Sequence, residues 1–356
     1  MFVWGRGQNE PSCGRSLGAV QIADFDYDLP DDRIAQTPIE PRDSARLLVD
    51  RGTAAPEHRH VRDLPQLLRE GDLMVLNETR VIPARLRVRR DTGGMAEVLL
   101  LEPTTPDRRR WEALLRPGKR LRVGEVLLVG ERPIVRVGER TAAGDTFEVE
   151  LLTDELDPLV LLDEIGEMPL PPYITTPLGD AARYQTVFAA IPGSAAAPTA
   201  GLHFTDELFA RLADAGVGVA KVELVVGLDT FQPISTPNPL DHPMHTERYH
   251  VPESTRLACE QAGRVVAVGT TAVRALESAA ARRESSGRTN LFIHRGFDWQ
   301  VVDVLMTNFH LPRTTLLMMI DAFVGDRWRR LYDEALAGDY RFLSFGDAML
   351  LDRAAR

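Results

Sequence analysis

Between residues 84 and 151 the chain breaks into six short apolar runs, at 84–88, 96–101, 110–115, 125–129, 134–137 and 146–151. They are rich in Val and Leu, and Gly, Pro and Asp turns separate them. Strands this short and this evenly punctuated can bury their apolar faces only by closing on one another, as a small all-β barrel or sandwich. The flanks have another texture. Upstream, residues 22–27, 46–49 and 73–76 read as strands, 31–36 as one helical turn, and 61–69 as a short helix stopped by Gly71. Downstream, helices over 156–165, 206–215, 254–262 and 270–283 alternate with apolar strands at 220–226 and 264–268. Such alternation indicates a mainly parallel or mixed sheet covered by helices. The expected fold is an α/β multidomain protein: a mixed α/β body, formed by 21–82 and 153–356, with an inserted small all-β barrel domain over 83–152.

The chain has 356 residues, 44% apolar and 26% charged, an ordinary composition for about two soluble domains. Residues 1–20 are Gly/Ser-rich, carry Arg6, Glu10 and Arg15, and lack a continuous apolar stretch, so they read as a disordered extension and not a signal peptide. No apolar run is long enough to span a bilayer, and no membrane partner is expected. The two cysteines, Cys13 and Cys259, form neither a disulfide framework nor a zinc spacing, which points to a cytoplasmic location and no metal. The net charge of −10 conceals an asymmetry. Residues 80–140 hold fifteen Lys/Arg and eight Asp/Glu, a balance of +7, which leaves −17 on the remainder. A local basic region on an acidic body can meet phosphates, although an arginine-rich sheet surface would read the same.

Several polar clusters interrupt this framework. Ala197-Pro198-Thr199-Ala200-Gly201-Leu202-His203-Phe204-Thr205 places a histidine in a small-residue loop just ahead of a helix. Thr205 is a natural N-cap, and Asp206 and Glu207 suit the first turn. Small residues there let a ligand approach the backbone. A tight turn whose histidine bonds its neighbours is the plainer reading of that segment alone. Val268-Gly269-Thr270-Thr271 joins a buried strand to a helix, the usual place for a ligand in an open α/β sheet. Arg274 follows as a candidate anion contact. No G-x-G-x-x-G or Walker lysine is present, so this is no standard nucleotide loop. Asn77-Glu78-Thr79-Arg80 ends another strand, and Arg116-Pro117-Gly118-Lys119-Arg120 is a cationic turn suited to phosphate. In Met244-His245-Thr246-Glu247-Arg248-Tyr249-His250, strand alternation would put His245, Glu247 and Tyr249 on one face. Thr307-Asn308-Phe309-His310 sets polar groups in an apolar stretch, where they need partners. S-x-x-K and H-E-x-x-H are absent, which counts against penicillin-binding-type hydrolase and zinc chemistry.

Taken in order, these blocks resemble the S-adenosylmethionine:tRNA ribosyltransferase-isomerases of queuosine biosynthesis, from about Ile22 to Leu351. Further blocks that carry the resemblance are Asp24-Phe25-Asp26-Tyr27, Arg42-Asp43-Ser44-Ala45-Arg46-Leu47, Met168-Pro169-Leu170-Pro171-Pro172-Tyr173, Arg183-Tyr184-Gln185-Thr186 and Phe342-Leu343-Ser344-Phe345-Gly346-Asp347. The resemblance implies transfer of the ribosyl part of S-adenosylmethionine to 7-aminomethyl-7-deazaguanine in a tRNA anticodon loop. Rearrangement of the sugar gives epoxyqueuosine, with adenine and methionine released. S-adenosylmethionine is then a consumed substrate, and no further cofactor is implied. The chemistry of such a reaction suggests site residues as expectations. His203 or His310 would be the acid–base group, with Glu247 and His245 second. Gly269, Thr270 and Thr271 would hold the methionine or ribose end, and Tyr184 and Phe231 would face the sulfonium or adenine. Asn77, Thr79, Thr199, Gly201, Asp229 and Asn308 would complete the substrate site. Arg80, Arg116, Lys119 and Arg120 would meet RNA phosphates, and the protein is expected to act as a monomer.

One block departs from the family pattern. Leu-His-Val-Gly-x-Gly-Thr-Phe is usual, and here it is Leu224-Val225-Val226-Gly227-Leu228-Asp229-Thr230-Phe231. Val225 cannot titrate, and Asp229 offers a carboxylate in place of a glycine. The competing readings are an S-adenosylmethionine-dependent RNA methyltransferase, which would release S-adenosylhomocysteine, and a non-catalytic tRNA-binding paralogue.

Overall fold

The computed structural model describes residues 20–355 except 143, 228–232, 235 and 245, and the backbone alone of Lys119. The chain opens on a 3₁₀ turn at Ile22–Phe25, not the strand its apolar residues suggest. The Asp24 carboxylate accepts from the Gln21 N–H and ties the backbone into a turn, and only Phe25 of the four is buried.

Strands β1 (Arg46–Val49) and β2 (Glu57–His60) form a hairpin, followed by the short helix α1 (Leu64–Leu67) and strands β3 (Asp72–Asn77) and β4 (Thr79–Val81). The barrel comprises β5 (Arg85–Arg89), β6 (Met95–Pro103), β7 (Arg110–Arg116), β8 (Val126–Val129), β9 (Arg132–Arg140) and β10 (Phe147–Leu151). The rest of the body supplies α2 (Pro158–Ile165), β11 (Ile191–Ser194), α3 (Asp206–Asp214), β12 (Gly218–Leu224), β13 (Glu247–His250), α4 (Glu253–Gln261), β14 (Arg264–Val268), α5 (Thr270–Arg282), β15 (Ser286–Thr289), β16 (Val304–Asn308), α6 (Thr315–Val324), α7 (Arg327–Ala337) and β17 (Ala348–Asp352).

Nine strands make one mixed sheet in the order β15-β13-β12-β3-β14-β16-β17-β1-β2. Its centre, β12-β3-β14-β16, is parallel, so these four strands end on the same side. Both faces of that centre are covered. Val265 and Ala267 of β14 join the core under α5 and α6, whereas Val266 and Val268 join the core against α1 and α3. Leu73 and Val75 of β3 face the first core, and Met74 and Leu76 the second. Burial on both faces explains why these strands are apolar throughout and show no alternation.

The six barrel strands close in the order β10-β7-β6-β5-β8-β9. Here alternation is explicit: Trp111, Ala113 and Leu115 of β7 point inward, between exposed or half-buried neighbours. Leu161 and Leu162 of α2 pack into the barrel core. A parallel pair, β4 with β11, lies where the chain passes between body and barrel, and Arg288 of β15 reaches Glu102 of β6 at 2.8 Å. This is the mixed α/β body with an inserted barrel that the sequence pattern implies.

Candidate active site

Three segments gather beyond the carboxyl ends of the parallel strands: Val225-Val226-Gly227 after β12, Gly269-Thr270-Thr271 after β14, and Asn308-Phe309-His310 at the end of β16. Ligands of open α/β sheets bind in this crevice. Two adjoining cavities occupy it. The first, of about 600 Å³, is walled by Thr199, Gly269, Thr270, Thr271, Asn308 and His310. The second, of about 1330 Å³, lies between body and barrel, with Glu102, Glu112 and Thr146 on one side and Val225, Glu247 and Arg274 on the other. Val226 and Leu316 line both.

Gly269 has φ +85° and ψ 155°, a conformation L side chains avoid, and its N–H donates to the Met306 carbonyl at 2.7 Å. That turn brings the first residues of α5 to the wall of the first cavity. The positive end of the helix dipole lies there. The Thr271 hydroxyl is buried with no hydrogen-bond partner among the described residues.

Asn308 is bonded on every side. Its Oδ1 accepts from the Thr199 hydroxyl at 3.0 Å, and its Nδ2 donates to His203 Nε2 and to the Asp347 carbonyl, both at 3.3 Å. Asp347 is held in turn by the N–H groups of Arg46 and Arg341. His203 thus stands behind Asn308 and does not line the cavity. Burial, reinforced by Arg341 and Arg42, lowers its pKa to about 4. The neutral ring must carry its proton on Nδ1 to accept at Nε2.

His310 does line the cavity. Its Nε2 lies 3.1 Å from the Thr307 hydroxyl, its N–H donates to Tyr332, and its carbonyl accepts from the Tyr27 hydroxyl. Burial lowers its pKa to about 3. Both histidines are therefore neutral imidazoles at physiological pH.

The other expected site residues separate into groups. Asn77 and Thr79 reach neither cavity. Asn77 bonds both backbone groups of Leu224, at 2.9 and 3.1 Å, and so stitches β3 to β12. Tyr184 is fully buried edge-on against Phe345, and Gly201 is packed beneath Phe188; neither lines a cavity. Glu247 faces the second cavity, ion-paired to Arg274 and accepting from the Gly227 N–H. With Glu247 and Tyr249 buried and Arg248 exposed, β13 alternates as its sequence implies. Arg80, Arg116 and Arg120 are exposed and form no ion pair among the described residues, whereas Arg87, Arg110, Arg132 and Arg136 nearby are each paired to a glutamate. His245, Asp229, Phe231 and the Lys119 side chain lie outside the described residues. Sequence reasoning named Thr307 and Tyr27 only inside longer segments, with no site role, and did not name Tyr332; these three fix His310. The tyrosines lie 283 and 22 residues away along the chain, so no local pattern could show them.

Residues 22–351 match the queuosine biosynthesis protein family. The chain belongs to that family. Among its relatives, the S-adenosylmethionine:tRNA ribosyltransferase-isomerase of Symbiobacterium thermophilum is 50% identical over 347 residues, covering 93% of this chain and 100% of the relative. The protein of the same name from Synechococcus elongatus is 48% identical, covering 92% and 94%. The crystal structure of S-adenosylmethionine tRNA ribosyltransferase from Thermotoga maritima aligns with a TM-score of 0.52 at 38% identity, over 92% of this chain and 99% of that one. Against the family pattern, Val225 is a buried apolar patch on the wall of the second cavity, and its N–H is taken by the Arg248 carbonyl.

Proposed function

We propose that this queuosine-family chain transfers and isomerises the ribosyl moiety of S-adenosylmethionine onto 7-aminomethyl-7-deazaguanine in tRNA, giving epoxyqueuosine-tRNA with release of adenine and methionine. The observation that carries this reading is full-length identity of about one half to proteins of that name. The paired cavities fit it. The larger cavity opens between body and barrel, where a second substrate can reach the first.

Within this proposal His310 is the acid–base residue: its unprotonated ring lines the cavity, and the C5′ hydrogens beside the sulfonium are the acidic ones to be taken. His203 acts through Asn308 as a positioning residue. Gly269, Thr270 and Thr271 offer helix N–H groups and hydroxyls to the substrate. The overall transfer balances without oxidant or reductant, so S-adenosylmethionine is consumed and no further cofactor is proposed. Arg80, Arg116, Lys119 and Arg120 meet the phosphates of an anticodon loop whose target base is splayed from its stack. The protein is proposed to act as a cytoplasmic monomer.

The test incubates the protein with S-adenosylmethionine and an anticodon stem-loop RNA bearing the aminomethyl-deazaguanine base. Mass spectrometry follows RNA and small molecules. Ribosyl addition with stoichiometric adenine and methionine supports the reading. Appearance of S-adenosylhomocysteine would indicate a methyltransferase, and stem-loop binding without turnover a non-catalytic paralogue.

A further inference from the structure

Arginine side chains in this protein use one edge repeatedly. The Nε and Nη2 groups of Arg90 hold Glu125 at 2.6 and 3.0 Å. The same edge of Arg264 holds Asp72 at 3.0 and 2.6 Å, and that of Arg327 holds Asp50 at 3.1 and 2.9 Å. Arg295 grips Asp321 in the same way, at 3.0 and 2.5 Å. In Arg90, Arg264 and Arg295 two parallel N–H donors match two carboxylate oxygens, whereas both donors of Arg327 share Asp50 Oδ2; the two-oxygen fork is the strongest contact an arginine offers.

Arg274 leaves both groups of that edge, Nε and Nη2, without a partner among the described residues. It lies in the second turn of α5 on the wall of the body–barrel cavity and is only 5% exposed. Its Nη1 is committed to Glu247. Its Nε and Nη2 are buried and have no hydrogen-bond partner among the described residues. Burial lowers its pKa to about 10. Leaving buried donors unpaired is unfavourable, and more so on a charged group. One helical turn earlier, at the spacing that puts residues on one face, Thr271 carries the unpartnered hydroxyl of the adjoining cavity. Two open donor groups thus follow one face of α5 across the junction of the cavities.

We propose that the Nε–Nη2 edge of Arg274 receives the α-carboxylate of the methionine end of S-adenosylmethionine. This rests on the proposed function. It assigns the amino-acid end to the body–barrel cavity and directs the nucleoside end past Val226 and Leu316 towards His310. A small carboxylate can reach a guanidinium this deeply buried, whereas a backbone phosphate brings the RNA strand with it. Glu247, bonded to Nη1 and to the Gly227 N–H, is then a positioning residue that aims the guanidinium.

The test is a ligand–protein cycle by equilibrium dialysis. Wild type and Arg274→Lys are each titrated with S-adenosylmethionine and with its decarboxylated analogue. Lysine keeps a cation beside Glu247 but lacks the planar fork. The wild type is expected to favour S-adenosylmethionine by about 10- to 100-fold, with the preference falling to about twofold or less in Arg274→Lys. Equal loss for both ligands in the variant, or no preference in the wild type, overturns the assignment. If Arg274→Lys fails to fold, the wild-type preference alone decides. Stem-loop RNA binding is expected to be unchanged. Weakened RNA binding with intact S-adenosylmethionine binding would give the fork to a phosphate and also overturn it. A wild type that binds neither ligand would sink the proposed function along with this inference; equal binding of both sinks the inference alone.

Discussion

Replacing His203 with Gln removes a buried titratable ring while leaving an oxygen that can accept from the Asn308 amide. In the folded protein burial holds the His203 pKa at about 4, against 6.5 for an unperturbed histidine. As pH falls, the unfolded chain therefore binds this proton first. The stability linked to neutral His203 is complete above about pH 6.5 and is lost as pH falls towards about 4. Near pH 5 the unfolded ring is almost fully charged and the folded ring almost fully neutral, a difference of about 2 kcal/mol. His310, lowered to about 3, adds a loss of similar size. Urea unfolding of wild type and His203→Gln at about pH 7.5 and about pH 5 isolates the first contribution. The wild type should lose about 2 kcal/mol more than the variant on acidification. A gap between the two proteins that does not change with pH would mean that His203 titrates alike in both states, and the argument from its burial behind Asn308 would fail.

Other expectations follow from single contacts. A Cβ at Gly201 would lie 2.7 Å from Phe188 Cζ and 2.9 Å from Thr186 Cγ2, so Gly201→Ala should destabilise by about 1–3 kcal/mol, measured by urea unfolding; unchanged stability would show that the ring yields. The fully buried Glu277 carboxylate accepts from the N–H groups of Gln300, Val301 and Val302 at 2.9–3.1 Å. Glu277→Ala should cost about 3 kcal/mol or more and speed amide exchange at those three positions, and unaltered exchange would refute the anchoring role. Arg116→Ala and Arg120→Ala should each weaken tRNA binding and lower the salt dependence by about one phosphate contact. An unchanged slope would place them off the RNA path.

The barrel was legible because its six short apolar runs are evenly punctuated by turns, and in β7 Trp111, Ala113 and Leu115 point inward in alternation. The parallel centre of the sheet was legible for the opposite reason, since β14 is buried on both faces and apolar throughout. The Gly269 turn was visible because only glycine adopts φ +85° at no steric cost. Where local pattern failed, a distant contact had decided. Ile22–Phe25 looks like a strand, but with three of its four side chains unburied and a carboxylate tying the turn, it forms no strand. Asn77 and Thr79 sit at a strand end as a ligand site would require, yet both are used on the backbone of Leu224.

Sequence alone determined the barrel strands and the doubly covered strands β3 and β14, because burial writes itself into the order of apolar residues. It also marked the polar segments that close the strands. Only the tertiary structure decided which polar groups are already satisfied and which still face a cavity. Asn308 draws on Thr199, His203 and Asp347, and Arg274 keeps one edge open beside Glu247. A hydrogen bond depends on angstrom distances between residues far apart in the chain, and no local period records those distances.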